Sequence, residues 1–404
     1  MRNVVITGFG IKSCIGNTYQ EVLDSLQNGK SGITANETYK QMGFRSQVSG
    51  SIDLNLSELI DRKLYRFMGE SAAYAYLAAQ DAIEMAGISE LHLNSERAGI
   101  VAGSGGASTR VMVSTADITR EKGPKRIGPY AVTKSMGSSI SAILATAYKL
   151  KGINYSISSA CATSAHCIGH GADLIKSGQQ DIVMAGGGED LHWSSSSLFD
   201  AMGALSSNFN DNPSAASRAY DRNRDGFVIS GGSGMLILED EEHAKKRNAN
   251  ILAKLTGYYA TSDGYDMVAP SGEGALRCMK GAMQNHGSKV DYINTHGTST
   301  PVGDVAELEA IKELFKNDMP VISSTKSMTG HSLGATGVQE AIYTIMMLRE
   351  KFIAPSINID ELCDEADGLN ITTQTLEKIL ILFLLILLVL VEQMPALLYQ
   401  DINF

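Results

Sequence analysis

With 404 residues, 44% of them apolar and 19% charged, the chain has the composition of a compact globular protein, not a disordered one. It is long enough for two domains or for one large domain built from two halves. A formal net charge of −10 argues against a general nucleic-acid binder, because phosphate backbones are held by clustered Lys and Arg.

The chain enters a strand-like VVITG at 4–8 directly, so no signal peptide is expected. AGIVAG at 98–103, DIVMAGGG at 181–188 and MLILED at 235–240 are further short apolar runs closed by glycine or charge. Between them, YQEVLDSLQNG at 19–29 and SAAYAYLAAQDAIEMAG at 71–87 place apolar residues three and four apart and stop on glycine. Strands alternating with helices predict an α/β protein with largely buried sheets. The charged end of MLILEDEEHAKKRNA at 235–249 and the new strand in ILAKLTGYYATS at 251–262 predict a boundary near residue 250, dividing 1–250 from 251–404. The glycines of TGFGIKSCIG and AGSGGAS do not fit GxGxxG, which makes them turn glycines and not a dinucleotide cradle.

YSISSACATSAHCIGHGADLI, at 155–175, runs from an apolar strand through small residues into a helix-like segment. A thiol at Cys161 would stand at a helix start, where the dipole and nearby N–H groups favour the thiolate. The competing reading is a buried small hydrophobe, and spacing alone leaves both open. Cys167, six residues on, has no such setting and is assigned to the core. The five cysteines (Cys14, Cys161, Cys167, Cys278 and Cys363) contain no CxxC pair, so neither a zinc site nor a disulfide framework is expected and a reduced cytoplasm is the simplest setting. YINTHGTSTPVGD at 292–304 places His296 just beyond a strand in a turn rich in Gly, Ser and Thr. ISSTKSMTGHSLGATG at 322–337 does the same for Lys326 and His331. One such histidine would more often be structural; two in matching settings, with the cysteine, form a constellation.

SSACATSAH, HGTSTPVGD, STKSMTGHSLGATG and AYDRNRDGFVISGG together resemble the β-ketoacyl-acyl-carrier-protein synthases. The resemblance runs from Arg2 to about Lys378. MVAPSGEG at 267–274 and FDAMGALS at 199–206 are most similar to bacterial synthase I. It implies the thiolase-like fold, with two similar α/β halves in a five-layer αβαβα arrangement, and usually a homodimer. It further implies a decarboxylating Claisen condensation in fatty-acid elongation. Cys161 would carry the acyl group as a thioester. His296 and His331 would donate hydrogen bonds to the malonyl thioester oxygen as carbon dioxide leaves, with Lys326 supporting His331. Thr298 and Thr300 would touch the pantetheine arm, and Phe199 belongs with them on the substrate side. Asp225, Glu307 and Glu340 match acidic positions that organise the family's site. No metal or cofactor is implied, since the substrates arrive on the phosphopantetheine of acyl carrier protein. That acidic partner makes basic patches relevant, and Lys63 with Arg66, and Lys125 with Arg126, are the candidates for docking it. No nucleic-acid or membrane partner is expected.

The same comparison separates relatives. Thiolases use a second, C-terminal cysteine in a CxG motif, which Cys363 lacks. Initiating synthases use Cys-His-Asn, whereas His331 holds the third place here. Inactive chain-length factors lack the nucleophile, and Cys161 is present. A synthase II-like or polyketide-type condensing enzyme stays open as an alternative.

KILILFLLILLVLVEQMP, at 378–395, departs from the family. Thirteen consecutive residues, 379–391, are Ile, Leu, Phe or Val. A spanning helix needs about 20, so a buried strand is the ordinary reading. At 386–395, between a strand and a last strand, the family instead carries NSFGFGG(T or A)NA, whose second Phe N–H completes the oxyanion hole. The motif written AAT TCT TTT GGT TTT GGT GGA GCA AAT GCC and read one base later becomes ATT CTT TTG GTT TTG GTG GAG CAA ATG CCN. That translates as ILLVLVEQMP, matching all ten residues of this chain. ALLYQDINF then resembles a family C-terminus again. The segment 379–395 therefore reads as frame-shifted. If it is translated as written, the oxyanion donor at Leu390 and the family's cation-ligand positions at Leu385 and Ile386 are lost. The alternative function is then a catalytically impaired homologue that binds the carrier protein or pairs as a dimer partner.

Overall fold

A computed structural model describes residues 1–106, 108–266, 270–284, 286, 289–316, 318–386 and 393–402. Its largest sheet has ten strands: β1 (Val4–Lys12), β2 (Ala98–Gly103), β3 (Asn154–Tyr155), β4 (Ile182–Glu189), β5 (Gly232–Asp240), β6 (Ala253–Ser262), β7 (Tyr292–Asn294), β8 (Val321–Ser323), β9 (Leu382–Ile386) and β10 (Gln393–Gln400). Their order is β8-β7-β9-β10-β6-β1-β5-β4-β2-β3. From each outer edge inward, the strands follow one scheme. β3-β2-β4-β5-β1 and β8-β7-β9-β10-β6 differ by five in every place. Directions repeat too. β2 is parallel to β3 and β4, β4 antiparallel to β5, and β5 antiparallel to β1. β7 is parallel to β8 and β9, β9 antiparallel to β10, and β10 antiparallel to β6. The two sets join through a short antiparallel pairing of 4–6 with 253–255.

Helices explain why the strands are apolar throughout. Helix α1 (Glu70–Ala86) lies on the outer face of the first five strands, α2 (Thr163–Lys176) and α5 (Thr336–Glu350) lie between the two sets, and α3 (Glu273–Met283) and α4 (Pro301–Phe315) cover the outer face of the second. That gives five layers. All nine residues of β1 and all nine of β5 are buried, as strands covered on both faces must be. In α5 every residue except Arg349 and Glu350 is buried, the mark of a helix enclosed on all sides. Gly8 and Gly10 of β1 let α1 rest directly on the sheet: a Cβ at Gly10 would lie 2.0 Å from the Ala78 carbonyl oxygen.

Part of the apolar run is a strand, as its length suggests. Leu382, Phe383, Leu384 and Leu385 are fully buried, and Phe383 stacks on Tyr399 with ring centroids 4.9 Å apart. No helix among the described residues is long and apolar enough to cross a membrane. Residues 387–392, with the Leu390 N–H, lie outside the described residues, as do 267–269 of MVAPSGEG.

Candidate active site

Both central helices begin beside the chemistry-bearing residues. After β3 the chain makes a tight turn at Ser159-Ala160-Cys161. Ala160 sits at φ +48°, a left-handed conformation uncommon for alanine. Thr163, the first residue of α2, stabilises that turn: its hydroxyl accepts from Ser159 N–H at 2.8 Å and donates to the Ala160 carbonyl at 2.8 Å. Cys161 is thereby fixed one residue ahead of the helix cap, and only 5% of it is exposed.

His331 follows β8 and the short helix Lys326–Thr329, after Gly330 at φ +64°. Its N–H donates to the Val228 carbonyl at 2.7 Å, and its own carbonyl accepts from Ser230 N–H at 2.9 Å. The imidazole is held at both nitrogens: Nδ1 is 2.9 Å from Thr336 Oγ1, and Nε2 is 2.9 Å from Cys161 Sγ. His296 follows β7. Its backbone N–H and that of Gly297 donate to the two carboxylate oxygens of Glu307, on α4, at 2.7 and 2.8 Å. Gly297 has no room for a side chain, since a Cβ would lie 2.6 Å from the Tyr220 hydroxyl oxygen. The His296 and His331 rings meet edge to face, with centroids 5.1 Å apart. His296 Nδ1 is buried with no hydrogen-bond partner among the described residues.

Burial sets the resting protonation. It pushes the Cys161 thiol up to about 12, against a lowering by the Lys326 charge. Of the two readings that spacing left open for Cys161, this favours the buried thiol: loss of water around the sulfur outweighs the dipole and the nearby ammonium. Both imidazoles lie well below the usual histidine range, first from burial and then from the Lys326 charge, so both are neutral. Lys326 pairs with Glu340, and both side chains are only 2% exposed. Burial raises Glu340 to about 7 and Glu307 to about 8.

A cavity of about 210 Å³ leads to the two histidines. Of the residues expected on the substrate side, Thr298 and Thr300 line it, with their hydroxyl oxygens 3.0 Å apart. Asp225 and Glu307 line it as well. Asp225 uses its carboxylate to bind Ser206 Oγ and the N–H groups of Ser207 and Asn208, so it organises the wall. Phe199 does not line the cavity. It packs edge-on against Phe227, which lines the cavity and packs in turn against His331. Met202 and Val302 supply further apolar lining. The short motifs contained Phe227 and Met202, but period and spacing gave no reason to single them out. Glu189 was also missed. At the end of β4 it accepts from Ser104 Oγ and Gly105 N–H at 2.8 Å each and from Gly334 N–H at 3.0 Å, clamping the loops on either side of the site. Lys63, Arg66, Lys125 and Arg126 are all exposed. The Arg66 guanidinium lies over Phe67 and Tyr130, which brings it beside the segment carrying Lys125 and Arg126. Leu385 is a buried apolar side chain opposite Asn294 and offers no oxygen to a cation, and the Ile386 side chain is outside the described residues.

Comparison with known proteins places these features in a family. The family model described as beta-ketoacyl synthase, N-terminal domain, matches residues 1–244, and the corresponding C-terminal domain model matches 252–360. The 3-oxoacyl-[acyl-carrier-protein] synthase 1 of Haemophilus influenzae is 60% identical over 379 residues, covering 94% of this chain and 93% of that one. Its Escherichia coli counterpart is 58% identical over 380 residues, covering 94% of each. A β-ketoacyl synthase crystal structure from Burkholderia phymatum superposes with a TM-score of 0.94 at 28% identity, covering 100% of both chains. A type II polyketide ketosynthase solved in complex with its acyl-carrier protein gives 0.90 at 29% identity, covering 99% of both.

Proposed function

The chain belongs to the β-ketoacyl synthase family, and on that premise we propose that it condenses an acyl thioester with malonyl-acyl-carrier protein to give 3-oxoacyl-acyl-carrier protein in fatty-acid elongation. The observation that carries this reading is the contact of a neutral His331 with the Cys161 thiol at the end of a cavity. In the first half-reaction Cys161 Sγ attacks the acyl thioester carbonyl. Its proton passes to His331 Nε2 and on to the departing pantetheine thiolate. In the second, the carbon–carboxylate bond of the malonyl group breaks and carbon dioxide leaves. The electron pair moves onto the thioester oxygen, where N–H groups of His296 and His331 hold it. The resulting carbanion attacks the acyl carbonyl, a carbon–carbon bond forms, and Cys161 Sγ leaves as a thiolate and recovers a proton from solvent by way of His331 Nε2. His331 Nε2 thus accepts in one half and donates in the other. Thr336 suits both, because a hydroxyl can accept from Nδ1–H or donate to bare Nδ1. Lys326, held by Glu340, keeps the imidazoles neutral and supports the developing negative charge. Thr298 and Thr300 orient the pantetheine arm, and Phe199 shapes the pocket through Phe227.

The partner is acyl carrier protein, docked by Lys63, Arg66, Lys125 and Arg126. The protein works as a cytoplasmic homodimer. Exposure of both residues of β3, an edge of the large sheet, supports pairing with a second copy. Two halves, 1–250 and 251–404, arise from one repeated plan, which the matched strand orders support.

A specific observation favours a second reading. ILLVLVEQMP occupies the place of the oxyanion loop, and loss of one such donor typically costs about 100- to 1000-fold in rate. We infer a lost base near codon 379 and a gained base near codon 395. Peptide mass mapping of 370–404, alongside turnover of acyl- and malonyl-acyl-carrier protein, decides between the two. Peptides carrying SNSFGFGG go with full activity abolished by Cys161→Ala. Peptides carrying ILLVLVEQMP, with turnover reduced at least 100-fold, make the chain an impaired homologue that only binds the carrier or a partner subunit.

A further inference from the structure

We propose that Cys161, His296 and His331 also form a binding site for a soft divalent cation of the zinc class, and that its occupation shuts off acyl loading. One ligand atom from each residue lies within 4.8 Å of the other two, and all three residues are buried. His331 Nε2 and Cys161 Sγ are already in contact at 2.9 Å. The His296 ring also has a hydrogen-bonding capacity left unused, since its buried Nδ1 has no partner among the described residues. Such an atom gains by finding a proton or a metal.

One thiol and two imidazoles are the donors zinc prefers, and three protein ligands with one open position are its usual non-structural arrangement. The cavity in front of both histidines supplies that open position for a water. With Zn–S near 2.3 Å and Zn–N near 2.1 Å, tetrahedral angles put S···N at ~3.6 Å and N···N at ~3.4 Å, so side-chain rotation must bring the widest pair in by up to ~1.2 Å and open the Cys161–His331 contact by ~0.7 Å. Magnesium and calcium, which need oxygen ligands, would not compete. The nearby Lys326 ammonium opposes a cation, but Glu340 offsets it within the same buried pair. Binding replaces the Cys161 thiol proton, which leaves to solvent; no oxidation state changes. The metal is an inhibitor in this scheme, not a cofactor. Only the inhibited step depends on the function proposed above; the site itself rests on the three side chains.

The test uses the full chain freed of metal, with Co²⁺ as a spectroscopic probe and Zn²⁺ as the inhibitor. Co²⁺ should bind in a one-to-one ratio with a thiolate-to-cobalt charge-transfer band, which Cys161→Ala removes and His296→Ala weakens at least tenfold. In the unaltered protein, Zn²⁺ should slow iodoacetamide alkylation of the Cys161 peptide at least tenfold, a chelator should restore it, and Mg²⁺ should do nothing. An equal band in Cys161→Ala overturns the proposal. So does unchanged alkylation at saturating Zn²⁺, a readout that needs no variant to fold. Acyl loading measured in metal-free buffer separates failure of this site from failure of the enzymatic reading.

Discussion

His331 Nε2 lies 2.9 Å from Cys161 Sγ although 170 residues separate them, because each follows an edge strand of its own set of five and leads into one of the two central helices. β3 leads to Cys161 and α2; β8 leads to His331 and α5. Cys161 and His331 therefore occupy matching places in a repeated plan. Their meeting point is where the layers face one another.

A buried thiol that loses its proton only near pH 12 should react with iodoacetamide at a rate climbing about tenfold per pH unit from about pH 7 to about pH 10, without a plateau. Lys326→Met removes the charge that favours the thiolate and should lower the whole profile. Timed alkylation followed by peptide mass spectrometry reads both effects. A plateau at about pH 8 would contradict burial as the dominant cause.

Removing one member of the Lys326–Glu340 pair leaves a buried charge alone. Glu340→Leu should destabilise the protein by about 3–5 kcal/mol, while Lys326→Met with Glu340→Leu should cost less than Glu340→Leu alone. Urea unfolding of the single and double variants gives the comparison.

Glu307 ties the His296 loop and is raised by burial to about 8, from 4.5 unfolded. The folded state therefore holds a proton that the unfolded state releases between those values. This group's stabilising contribution is fully present below about pH 4.5 and is lost as pH rises through about 8. Thermal unfolding across that window should show the unaltered protein losing stability relative to Glu307→Gln. The two depressed histidines act oppositely, losing stability as pH falls below 6.5, but they are common to both proteins and drop out of the difference.

If Lys63, Arg66, Lys125 and Arg126 dock the acidic carrier protein, replacing all four by Ala should raise KM for acyl-acyl-carrier protein about tenfold with kcat within about twofold, and should flatten its dependence on salt. Steady-state kinetics at low and high ionic strength provide the check. A fall in kcat with unchanged KM would assign these residues elsewhere.

Sequence was most informative where a strand runs into a turn of small residues, since such turns expose one side chain in a predictable place. Cys161, His296 and His331 were legible for that reason, and Lys326 came with its motif. The alternation of strands and helices gave the α/β class. It could not give the strand order, because pairing of β1 with β6 links residues about 250 apart. The protonation of Cys161 stayed open because local sequence shows a helix start but not how much of the protein covers it. Phe199 and Phe227 come from two separate motifs and pack edge to face, and only Phe227 faces the cavity, a difference of packing depth that neither motif shows. Glu189 clamps Gly334 across 145 residues, a contact that no local pattern encodes.

The most direct test is mass spectrometry of the full chain after incubation with acyl-acyl-carrier protein, followed by addition of malonyl-acyl-carrier protein. One acyl group is expected on the Cys161 peptide, lost on the second addition as 3-oxoacyl-acyl-carrier protein appears. No adduct, or an adduct on another of the five thiols, would contradict it.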